Sequence, residues 1–138
     1  MDTSVLVAAA RSRRGASFAL VSSIPSDRFE VCLSVALFLQ WQEVLTRPEH
    51  LAPGRTAYEA LEFVRYLGSV AWWQPIYFLW RPYLSDPGDD MILELALAAR
   101  CPYIVTHNVR HLAGCEKLGI EAITPGELVR LLKEDVKS

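Results

Sequence analysis

The tetrapeptide YIVT, residues 103–106, limits the fold more than any other stretch. It is short and apolar up to its closing threonine, and it lacks the alternation of a strand with one wet face. Strands of this kind are buried on both sides, as in parallel sheets covered by helices. "IEAIT" (120–124) and "IYFLW" (76–80) are equally brief, and "RFEVCLS" (28–34) alternates before running apolar. Helix-length segments lie between them. "TSVLVAAA" (3–10) and residues 16–23 read as two helices broken by "RSRRG", the second ending before Pro25. In "VALFLQWQEVLTRP" (35–48), Leu37, Phe38, Trp41, Val44 and Leu45 recur at helical spacing, and Pro48 closes the run. Residues 55–67 are amphipathic, residues 90–99 form another helix, and "PGELVRLLKEDV" a last one with Pro125 near its start. The alternation predicts an α/β fold with a parallel sheet covered on both faces. Its functional crevice belongs at the carboxyl ends of the strands.

A chain of 138 residues fits one domain spanning 1–138, and 51% hydrophobic residues suffice for a core. The net charge of −2 argues against a broad basic surface for duplex DNA, while leaving room for a local basic patch. Cys32, Cys101 and Cys115 form no CxxC pair, which suits reduced thiols packed as small hydrophobes in a cytoplasmic protein. The most membrane-like run, residues 66–80, is interrupted by Gln74 and Pro75 and falls short of the roughly 20 residues of a spanning helix, so no membrane role is expected. No GxGxxG or GxxxxGK[ST] element supports nucleotide binding.

Three polar segments can converge on one sheet edge. In "LSDPGDDMILELALA" (84–98), Asp86, Asp89 and Asp90 precede an apolar run. Asp89 or Asp90 could cap a helix beginning near Met91, but capping needs only one of the pair, and adjacent carboxylates also suit a hard divalent cation. "MDTSV" offers Asp2 with Thr3 and Ser4, again cap or ligand. "VTHNVRHL" offers Thr106 and Asn108 just past a buried strand. His107 and His111 have the spacing of a zinc pair, but no third ligand or HExxH glutamate accompanies them. Arg11, Arg13 and Arg14 of "RSRRG" are a weak candidate for RNA phosphate contact against the plainer reading of a solvated helix end.

"DTSVLVAAARS", "FLWRPYLSDPGDDMILELALAARCPYIVTHNVRHL" and "ITPGELVRLL" together resemble the PIN domain. More narrowly they resemble the bacterial, VapC-like toxins of toxin–antitoxin systems, from Asp2 to about Leu132. The resemblance implies a three-layer α/β/α domain with a short central parallel sheet. It also implies a cytoplasmic prokaryotic endoribonuclease dependent on Mg²⁺ or Mn²⁺, with an RNA substrate, a cognate antitoxin and a homodimer as partners. In that family an acidic cluster holds the metal near the scissile phosphate and activates a water for in-line attack. The likeness puts catalysis on Asp2, Asp90 and Asn108, and the metal on Asp2, Asp89 and Asp90. Ser4, Gln40 and Thr106 would then support them through hydrogen bonds.

The chain departs from the family pattern at several points. Gln40 stands where a metal-site glutamate is usual, and Glu43, three residues on, is the nearest carboxylate that could substitute. Gly88 and His111 replace frequent aspartates. Only Met1 precedes Asp2, so the family's first strand is missing or truncated, which predicts a gap in the sheet and an untethered Asp2. A start lying upstream and a decayed copy both fit that pattern. A non-cleaving PIN module that binds RNA or protein is the alternative function.

Overall fold

The computed structural model describes residues 1–77, 84 and 87–137. Among the described residues, six helices and four short strands follow in order: α1 (Thr3–Arg11), α2 (Ala16–Ser22), β1 (Cys32–Leu33), α3 (Val35–Leu45), α4 (Ala57–Val70), β2 (Trp72–Trp73), α5 (Pro87–Ala98), β3 (Tyr103–Val105), β4 (Glu121–Ile123) and α6 (Pro125–Lys137). Short 3-10 turns occupy Pro48–His50, Val109–Leu112 and Cys115–Leu118.

Local chemistry sets the helix starts. Asp2, Ser34 and Thr56 each turn a side-chain oxygen onto a backbone N–H of the following turn. Thr56 and Glu59 complete a capping box, with the Thr56 hydroxyl also reaching the Glu59 carboxylate at 3.3 Å. The expected helix at 90–99 begins three residues earlier, because Pro87 already carries the backbone angle and missing N–H of a first helical position.

The sheet differs from expectation. Among the described residues it is not one continuous sheet but two parallel pairs, β1 with β2 and β3 with β4. The partner of β1 is Trp72–Trp73, which lies just ahead of the strand expected at 76–80. Trp72 N–H donates to the Val31 carbonyl and Gln74 N–H to that of Leu33, both at 2.8 Å. Pro75 has no N–H, so that ladder stops there. Ile76 and Tyr77 are not in a strand. Residues 78–83 and Asp86 lie outside the described residues.

Between β1 and β3 lies a cavity of about 370 Å³, lined among others by Met1, Cys32, Cys101, Tyr103 and Leu128. Asp2 is not loose beside it: its N–H donates to the Val105 carbonyl at 2.8 Å. α1 packs on α2 and α3, α3 on α4, α2 on α6, and α5 on β1 and β3. Leu6, Leu37, Trp41, Val64, Leu93 and Ile104 are among the fully enclosed side chains. Gly68 lets α4 close on α3: a Cβ there would stand 2.9 Å from Phe38 Cε2. Trp73 packs edge-on against Phe38 and donates its indole N–H to the Gly68 carbonyl at 2.7 Å. No helix among the described residues is long and apolar enough to cross a membrane.

Candidate active site

The end of β3 meets the start of α1, and Asp2 is the point of contact. Its Oδ1 accepts from Thr3 N–H at 2.8 Å, which is the cap. Its Oδ2 accepts from Ser4 Oγ at 3.0 Å and from Thr106 Oγ1 at 2.7 Å. Hydrogen bonds to a charged acceptor are worth roughly 1.5–3 kcal/mol each, so this carboxylate is fixed in orientation. Thr106 is fully buried, and its hydroxyl oxygen also accepts from Asn108 N–H at 2.9 Å. Ser4 Oγ accepts from His107 N–H at 3.1 Å. Thr3 Oγ1 donates to Gln40 Oε1 on α3 at 2.5 Å. Sequence-distant residues Ser4, Gln40 and Thr106 are thus joined around Asp2. The Asn108 side chain makes no capping bond to the 3-10 turn that follows it.

Met1, ahead of Asp2, is half-buried, and desolvation lowers the pKa of its amine against the opposing pull of the Asp2 carboxylate.

The start of α5 is built differently. Asp89 and Asp90 both sit in the first turn rather than ahead of it, so neither is the cap of a helix starting near Met91. Asp90 is 1% exposed, and its Oδ1 accepts from Leu84 N–H at 2.7 Å, bracing the incoming loop. The Asp89 side chain is 18% exposed, with His111 Nδ1 at 3.9 Å from its Oδ2. Residues 106–111 therefore connect the two acidic corners: Thr106 binds Asp2, and His111 faces Asp89.

Glu94 was not singled out from the sequence. It is 3% exposed, one helical turn beyond Asp90. A single carboxylate in the apolar run "MILELALA", at i+4 from an aspartate, was the available signal.

Other candidates lie elsewhere. Glu43 does not stand in for Gln40: its side chain is 71% exposed and pairs with Arg47 at 2.9 Å. Arg11 lies about 12 Å along α1 from Thr3, donating to the Glu49 carbonyl. Arg11 and Arg13 border a second cavity, of about 530 Å³, with His50 and Arg55, while Arg14 is exposed. The histidine pair does not share a helix face, because the 3-10 turn begins at Val109, after His107. His107 Nε2 instead meets Ser17 Oγ at 2.6 Å.

Among the described residues, no three His, Cys, Asp or Glu side chains come together as a metal cage. Zinc, which takes three or four such ligands, does not fit. Mg²⁺ needs only one or two carboxylates beside water and phosphate, and the oxygens of Asp2 and Asp89 suit it in kind.

The PIN domain family model matches residues 1–110. The chain is a PIN domain. PIN domains are generally nucleases, commonly bind RNA and typically use divalent metals. The matched region includes Asp2, Gln40, Asp89, Asp90, Thr106 and Asn108, and stops short of β4 and α6. No curated protein and no solved structure matches the chain.

Proposed function

We propose that this PIN domain is a Mg²⁺- or Mn²⁺-dependent endoribonuclease, the toxin of a toxin–antitoxin pair acting in the cytoplasm. The observation that carries the reading is the fixed Asp2 carboxylate at the carboxyl end of β3. Donors from Thr3, Ser4 and Thr106 orient it, and residues 106–111 connect it to Asp89. In this reading Asp2 and Asp89 hold the cation, and Asp90 adds fixed negative charge behind them. When bound, the cation supplies charge neutralisation at the phosphate and a lowered pKa for water. The chain's own part is positional. Thr106 and Ser4 hold Asp2, Gln40 holds Thr3, and Asn108 offers an amide to a phosphate oxygen or to the attacking water. The arginines near the end of α1 would meet phosphates farther along a single strand. An antitoxin would cover this corner. The exposed Val35, Leu39, Trp72 and Trp73 favour a homodimer through an apolar face.

The deciding experiment is cleavage of single-stranded RNA with Mg²⁺ or Mn²⁺ titrated from zero, for the native chain and for Asp2→Asn. Metal-dependent cleavage lost in the variant supports the reading; equal cleavage by both refutes it. One observation favours a second reading, a module that binds RNA or a partner without cutting it. Gln40 brings no charge and is already bonded to Thr3, which leaves few carboxylates for a cation. RNA binding without heat or spectral change on addition of millimolar Mg²⁺ or Mn²⁺ would favour that module.

A further inference from the structure

Two of the three cysteines flank the same cavity. Cys32 lies on β1 and Cys101 in the turn from α5 into β3; both are half-buried, and both line the space between the two sheets. Sixty-nine positions separate them in the chain. The two thiols are close enough to perturb each other's titration. That proximity raises the Cys32 pKa and lowers that of Cys101 to about 7, which makes Cys101 the readier nucleophile near neutral pH. Cys115 is of another kind. It is buried, donates to the Ile120 carbonyl at 3.3 Å, and is raised by desolvation.

We propose that Cys32 and Cys101 are a redox-modification site, forming a reversible disulfide that ties β1 to the entry of β3 across the cavity. The oxidant is a low-molecular-weight disulfide of the glutathione type. The Cys101 thiolate attacks one sulfur of that disulfide, and the other sulfur leaves as a thiolate, giving a mixed disulfide on Cys101. Cys32 then gives its proton to water and attacks the Cys101 sulfur, expelling the second small thiolate. Two protein thiols are oxidised to one disulfide, and one small disulfide is reduced to two thiols. The cavity of about 370 Å³ leaves open space beside both side chains, which a turn into disulfide geometry needs. The bond would set the separation of the two sheets beside Met1, one residue from Asp2. The site goes beyond the nuclease reading and does not depend on it.

The test incubates the full chain with oxidised glutathione, alkylates it under denaturing conditions and maps it with trypsin. Cleavage after Arg100, Arg110 and Lys117 puts Cys101 and Cys115 on separate peptides. The expected result is a loss of two hydrogens, one linked peptide pair joining Cys32 to Cys101, and Cys115 fully alkylated. Dithiothreitol should reverse it, and the oxidised chain should melt at a higher temperature. Cys32→Ser should stop at a glutathione adduct on Cys101, and Cys101→Ser should give no disulfide. Three alkylated thiols after oxidation, a bridge that includes Cys115, or an adduct on native Cys101 that never resolves would each overturn the proposal. The native map decides even where a serine variant fails to fold.

Discussion

Asp2 and Asp90 are both aspartates at the start of a helix, and the fold treats them in opposite ways. Asp2 precedes α1 in an extended conformation, and only Oδ1 is spent on the cap. Its Oδ2 is aimed by two hydroxyls, one of them 104 positions away in the chain. Asp90 lies inside the first turn of α5, sealed from solvent, and grips the backbone of the loop six residues earlier. Hydroxyls can rotate to suit a ligand, whereas a backbone N–H cannot turn away without moving the chain. Asp2 is therefore arranged to be presented, and Asp90 to hold the chain at Leu84 in place, with Asp89 as its more exposed neighbour.

The largest effect expected from that contrast is at Asp90. Asp90→Ala leaves the Leu84 N–H without its acceptor and should cost about 3 kcal/mol in a denaturant titration. Asp90→Asn keeps an Oδ1 acceptor and should stay near native stability while losing RNA cleavage. An Asp90→Ala chain as stable as the native one would erase the distinction. Next, Asp2→Asn should keep the cap and the fold but lower the metal-dependent cleavage rate about 10²-fold, close to 3 kcal/mol. Thr106→Val removes one donor to Asp2 and the acceptor for Asn108 N–H, and should cost about 1–2 kcal/mol of stability. It should also loosen Asp2, read as a lower cleavage rate at unchanged RNA affinity. Gln40→Glu adds a carboxylate beside Thr3 and should tighten Mn²⁺ binding about tenfold by calorimetry. Glu43→Gln, in an exposed ion pair, should change stability by only a few tenths of a kcal/mol and leave metal binding as it is. An effect of Glu43→Gln on Mn²⁺ as large as that of Gln40→Glu would return Glu43 to the site.

Periodicity and breakers made most of the helices legible. "RSRRG" separates α1 from α2 as read, and Pro25 lies just beyond the end of α2. The apolar brevity of "YIVT" marked β3 as a buried parallel strand, which is how it pairs with β4. β2 carries no buried pattern, because both of its tryptophans are exposed, and the more apolar "IYFLW" beyond Pro75 is the stronger strand signal in the sequence. α5 starts three residues ahead of its expected position because Pro87, and not an aspartate cap, opens it. At the site, Asp2, Ser4, Gln40 and Thr106 were named, but no spacing could announce that they share hydrogen bonds. Such contacts depend on how β3 docks against α1. Glu43 was misjudged because helical neighbours three apart need not share a face, and its partner Arg47 draws it outward.

The close seat of Gly68 carries a practical consequence. Trp73 rests edge-on against Phe38 and bonds the Gly68 carbonyl, so its indole marks the junction of α3, α4 and β2. A fluorescence signal assigned to Trp73 therefore reports the opening of that junction, and a methyl group at Gly68 would disturb the reporter and the junction together.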